Sequence, residues 1–243
     1  MNKLSAFLSD HTRSSSREYV LTTRLVHDLT VAAAARGYDL LVYSPTVDSD
    51  GFDVIFDDRD RLVPIQLKAM AEGGKTKKWE IRRTLIRPKP EEADFYGFES
   101  SPSGVGRGGG VILTTAASTE DGASVDVRYA YTDIDVLSAM WLNIVPTPAS
   151  SQQQKRLQRL RSELESDSEG SVELPRSAFL SATSPGSLLA LAGLRSSVDQ
   201  PWRVQLRKLL GKLNLQKETT ISEEVLRKNI RHHLTALTSA RAL

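Results

Sequence analysis

The chain has 243 residues, 40% hydrophobic and 26% charged, with no cysteine. This balance excludes a collagen, a wholly disordered chain, a disulfide scaffold, a thiol nucleophile and a thiolate metal site. Any bound metal would rest on oxygen or imidazole ligands, and the four histidines (His11, His27, His232 and His233) argue against a zinc site. No apolar run approaches 18 residues, and residues 1–20 carry no apolar signal core, so the expectation is a cytoplasmic protein without a membrane partner.

The net charge of +2 hides an asymmetry, since residues 151–243 hold 15 basic and 9 acidic residues. Within the more acidic remainder, residues 59–89 carry ten basic residues against Asp60, Glu72 and Glu80. Such a run attracts polyanions by Coulomb forces and counterion release. It also serves plain solubility.

In chain order, residues 14–36 read as a helix that Ser14, Ser15 or Ser16 can cap. Val20, Leu21, Leu25 and Leu29 form its apolar stripe, and Gly37 stands at its end. Tyr38–Tyr43, Phe52–Phe56 and Leu62–Met70 read as strands, the last two as a hairpin. Glu72–Thr76 is a turn, and the alternation of Trp79, Ile81, Arg83 and Leu85 predicts a strand to Ile86. Ser100–Gly110 is a Gly- and Ser-rich loop. Gly110–Ala116 and Val125–Tyr131 are further strands, and Asp133 caps a helix from Ile134 to about Asn143.

Pro146–Gln154 reads as a linker and Gln154–Glu165 as a helix, with a mobile Ser-rich loop over Ser166–Ser187. Trp202–Leu213 and Ser222–Leu237 are amphipathic helices. Arg203, Arg207 and Lys208 lie opposite Leu206, Leu209, Leu210 and Leu213, a basic face suited to nucleic acid or to solvent. The predicted organisation is an α/β core over residues 1–145, a mixed β-sheet flanked by helices, followed by a helical C-terminal region over 146–243.

One constellation carries chemistry. Glu18 lies on the first long helix, Asp53 opens a strand after the turn Asp50-Gly51-Phe52, and Gln66 and Lys68 sit two apart on the next strand. Strand residues two apart share a face, so Gln66 and Lys68 project together while Ile65 and Leu67 turn into the core. Hairpin pairing would bring Asp53 beside Gln66. A carboxylate and an amide oxygen suit a hard cation such as Mg²⁺, and a lysine beside them suits phosphoryl chemistry.

Helix with Glu18, strand with Asp53, strand with Ile65-Gln66-Leu67-Lys68: this order resembles the PD-(D/E)XK nuclease superfamily, in its Gln-x-Lys branch with Mrr-like restriction enzymes. The resemblance covers residues 14–70. It implies a restriction-endonuclease-like core and a metal-dependent DNA endonuclease of restriction, phage defence or repair. It implies Mg²⁺ (or Mn²⁺) at Asp53 and Gln66, Lys68 as the catalytic lysine and Glu18 as an accessory acid. Gln66 stands where the family more often has Glu, and Phe52 where it more often has Pro. Lys75, Lys77, Lys78, Arg82 and Arg83 would then hold the DNA backbone, and cutting two strands would suit a homodimer or a partner subunit. The rival expectation is an inactive nucleic-acid-binding module on the same fold.

Overall fold

Helix α2 (Ser14–Ala34) presents Leu21, Leu25, Leu29 and Ala33 at the helical repeat, and all four are buried. It ends just before Gly37, whose φ of +77° is the left-handed turn that glycine adopts without strain. The computed structural model describes residues 2–45, 51–98, 106–166, 170–194 and 201–238. Asp50, residues 100–105 of the predicted loop before Gly110 and residues 167–169 near the start of Ser166–Ser187 fall outside them.

A short helix α1 (Lys3–Ser9), which the polar N-terminus does not announce, precedes α2. Strands β1 (Leu41–Tyr43), β2 (Val54–Asp57) and β3 (Leu62–Ala71) form an antiparallel meander. After β4 (Lys78–Arg82) come two single-turn helices, α3 (Arg83–Ile86) and α4 (Ala93–Tyr96). Strand β5 (Gly110–Ser118) then lies parallel to β3, and β6 (Val125–Asp133) returns antiparallel to β5. The result is a mixed six-stranded sheet, completed by β8 (Leu180–Ser181) on β6.

The strand predicted to run to Ile86 stops at Arg82. The Arg83 N–H donates to the Gly170 carbonyl (2.9 Å), and its guanidinium donates to the Ser166 carbonyl and hydroxyl (3.2 and 2.6 Å). These partners turn the chain into α3 and override the alternation. Asp133 does cap α5 (Ile134–Trp141), accepting from the Val136 N–H at 2.9 Å.

Beyond residue 145 the prediction needs more correction. Helix α6 (Ser151–Glu165) starts inside the supposed linker, because Ser150 and Gln153 form a reciprocal capping box. The Ser-rich stretch holds strand β7 (Ser171–Pro175), strand β8 and the start of α7 (Pro185–Ala192). Strand β7 pairs with β4 and β8 joins the main sheet, so pairing crosses the 145/146 boundary. Helices α8 (Pro201–Leu215) and α9 (Glu223–Leu237) follow and pack on each other.

The sheet has two covered faces. On the first, Ala69 and Ala71 of β3, Ala116 of β5 and Val125 and Val127 of β6 pack with Leu8 of α1 and Leu21 of α2. Tyr129, on that same face, donates its hydroxyl to Asp28 of α2 at 2.8 Å. The second face bears Gln66, Lys68 and Met70 of β3, with Val111 and Leu113 beside them on β5. Val111 and Leu113 are fully buried, and burial of one such side chain contributes roughly 1.5–3 kcal/mol. Among the described residues no helix is long and apolar enough to cross a membrane.

Candidate functional site

The β2–β3 ladder sets the geometry. Val54 pairs with Ile65, so Asp53, one residue earlier, faces Gln66. The Asp53 N–H donates to the Ile65 carbonyl at 2.9 Å, and its carboxylate Oδ2 accepts the Leu67 N–H at 2.6 Å. The carboxylate thus extends a ladder that β2 has already left. From Leu67 onward β3 keeps β5 on one side but not β2 on the other. This open margin leaves Lys68 half-buried and Asp53 exposed.

Gln66 is half-buried, and its Oε1 is a buried acceptor without a hydrogen-bond partner. An orphaned buried acceptor carries a desolvation cost of about 1–3 kcal/mol, so it marks a place where a cation or a donor would be welcome. Lys68 has no hydrogen-bond or ion-pair partner among the described residues. The register therefore places Asp53, Gln66 and Lys68 near one another at one margin of the sheet, with Asp53 exposed and Gln66 and Lys68 half-buried. The donor set is one carboxylate and one amide oxygen, which fits a hard cation that keeps several waters. It is lean, and among the described residues no group of three or more His, Asp or Glu side chains is placed to hold a metal.

The turn before Asp53 is locked by a neighbour. Gly51 has φ +76°, and a Cβ there would lie 2.6 Å from Cγ of Arg82. The stem of Arg82 thus lies on the Gly51 backbone, which brings an exposed guanidinium from β4 to the entrance of β2.

Glu18 is exposed on α2, and α2 covers the first face of the sheet. Gln66 and Lys68 point from the other face, so the structure does not bring Glu18 to them. Lys75 and Lys77 are exposed in the connection between β3 and β4. Lys78 is exposed but paired with Glu173 of β7 at 2.6 Å. Arg83 is buried and bound to Ser166, so it serves the interior and is withdrawn from any DNA-facing surface.

A second polar cluster escaped the sequence reading. Arg203 of α8 is buried and pairs with both Asp133 and Asp135, at 2.6 Å to Asp133. Tyr131 donates to Asp133 and Tyr96 to Asp135. Burial alone would push the Asp135 carboxyl up, but Arg203, Arg207 and Tyr96 together hold it below the usual carboxylate range. Arg207 pairs with Glu92 at 3.1 Å. Of the expected basic face of α8, Arg203 is thus turned inward and neutralised, while Arg207 and Lys208 stay exposed, Arg207 paired with Glu92. The Asp133-Ile134-Asp135 spacing at a helix start was its one sequence signal.

Comparison of the chain with family models, with curated proteins and with solved structures finds no match.

Proposed function

We propose that the chain is a metal-dependent nuclease of the PD-(D/E)XK type that hydrolyses phosphodiester bonds in DNA. The observation that carries this reading is the meeting of Asp53, Gln66 and Lys68 at one open margin of the sheet, with Gln66 Oε1 unpartnered. The mixed sheet flanked by helices supports the restriction-endonuclease-like core.

In this reading Asp53 and Gln66 Oε1 hold Mg²⁺ or Mn²⁺, which when bound neutralises charge on the scissile phosphate. The Lys68 ammonium hydrogen-bonds the attacking water and steadies charge that develops on the phosphate oxygens. Water adds to phosphorus in line with the leaving oxygen and gives up a proton to solvent, while the bond to the leaving oxygen breaks and that oxygen takes up a proton from solvent. Arg82 and Lys75 hold the backbone on the approach. Glu18 has no part in this arrangement. The experiment is nicking of supercoiled DNA by the purified chain, with Mg²⁺ and with EDTA. Nicking in Mg²⁺ that EDTA abolishes supports the reading, and its absence in Mg²⁺ and Mn²⁺ counts against it.

The Leu67 N–H on the Asp53 carboxylate favours a second reading. There the acid is a structural cap, and the chain is a nucleic-acid-binding module without hydrolysis. It predicts salt-sensitive DNA binding and no nicking.

A further inference from the structure

Away from Asp53, Gln66 and Lys68, a cavity of about 470 Å³ opens among the start of β4, residues 145–149, α6 and the segment after β7. Met140, Val145, Leu157, Phe179 and Leu180 contribute apolar walls. Lys77, Arg156 and Arg176 also line it, and no acidic residue does. Among the described residues none of these three cations has an ion-pair partner, while Glu173 pairs with Lys78 and Glu163 with Arg159. Arg176 Nε and Ser177 Oγ, from two lining residues, are buried without a hydrogen-bond partner.

These features belong together. An apolar cavity of this size suits a small molecule, and convergent polar groups set which one. Three unmatched cations call for an anion, and guanidinium groups match the planar oxygen pairs of phosphate. The apolar walls, with the Phe179 ring among them, call for a flat or apolar body attached to that anion. Two larger cavities differ because acids line them together with their cations: Asp60, Glu92 and Asp135 in one of about 570 Å³ beside Arg203, and Glu218 in one of about 510 Å³ after α8.

We infer that the cavity between β4, α6 and β7 binds a nucleoside phosphate, either free or as the terminal nucleotide of a strand. The phosphate sits among Lys77, Arg156 and Arg176, and the base lies against the apolar wall. This inference does not depend on hydrolysis at Lys68.

The test is calorimetric titration of the full chain, in EDTA, with 5′-AMP, with inorganic phosphate and with a short single-stranded oligonucleotide. The expected result is saturable AMP binding at least tenfold tighter than phosphate. Arg156→Glu and Thr147→Trp, both at exposed positions lining the cavity, each weaken it at least tenfold with unchanged melting temperature. Oligonucleotide binding with the same sensitivity, without AMP binding, identifies a strand end as the source and also supports the site. No saturable binding of either, or binding that both variants leave intact, overturns it. Lys68→Ala leaves this binding unchanged, so loss of this site and loss of the nuclease reading are told apart.

Discussion

The Asp53 carboxylate accepts the backbone N–H of Leu67 at 2.6 Å, across the end of the β2–β3 hairpin. The same side chain is thereby a structural cap and the one carboxylate of the candidate site. The two roles separate by chemistry, because an amide oxygen can cap but supplies no charge.

Asp53→Asn should therefore fold with nearly normal stability and lose metal-dependent cleavage. Asp53→Ala should lose cleavage as well, and should cost about 0.5–1.5 kcal/mol because the exposed bond to the Leu67 N–H is lost. Urea denaturation of both variants measures this difference. Equal stability of the two would show that the cap contributes nothing.

Gln66→Glu tests the ligand role of the orphaned acceptor. A second carboxylate should tighten cation binding and lower the Mg²⁺ concentration needed for half-maximal nicking several-fold. A metal titration of the nicking rate reads this directly, and an unchanged Mg²⁺ requirement would remove Gln66 from the cation site.

The basic approach is tested by charge reversal. Lys75→Glu and Arg82→Glu should each weaken DNA binding and make its logarithmic salt dependence shallower by about one phosphate contact. Lys78→Glu should do less, since Glu173 already pairs with Lys78. Fluorescence anisotropy at several salt concentrations ranks the three.

The buried Arg203 network makes a pH prediction. With Arg203 present, the Asp135 carboxyl lies below its ordinary value of 3.8, so its contribution is present above that pH and is lost as pH falls through the lowered value. Arg203→Met removes the largest charge opposing burial and leaves the smaller effects of Arg207 and Tyr96 against it, which raises the carboxyl pKa. The variant should lose roughly 3–5 kcal/mol at pH 7, and the deficit should shrink as pH falls and Asp135 takes up a proton. Denaturation midpoints at several pH values measure it, and a pH-independent deficit would contradict the pairing.

These residues also explain what the sequence disclosed. Helix α2 was legible because Leu21, Leu25 and Leu29 recur at its period and Gly37 stops it. Gln66 and Lys68 were legible as neighbours because strand alternation is local. The face that α2 covers is tertiary, and so the separation of Glu18 from Gln66 was not legible. Strand β7 was hidden for a similar reason: Val172 and Leu174 alternate over only five residues, and its partner β4 is remote in sequence. Arg203 and Arg207 sit at helical spacing, which reads equally as a basic surface and as the inward side of a helix. The acids Asp133 and Asp135 draw Arg203 inward, while Arg207 stays exposed and pairs with Glu92.

The central claim is that Lys68 works beside Asp53 and Gln66 on a phosphodiester. Its most direct measurement compares the wild-type chain with Lys68→Ala for nicking of supercoiled and branched DNA in Mg²⁺ or Mn²⁺, alongside binding of the same DNA. The account predicts metal-dependent nicking by the wild type, at least a hundredfold loss in the variant, and nearly equal binding by both. Nicking that survives Lys68→Ala, or binding without nicking in either protein, would contradict it.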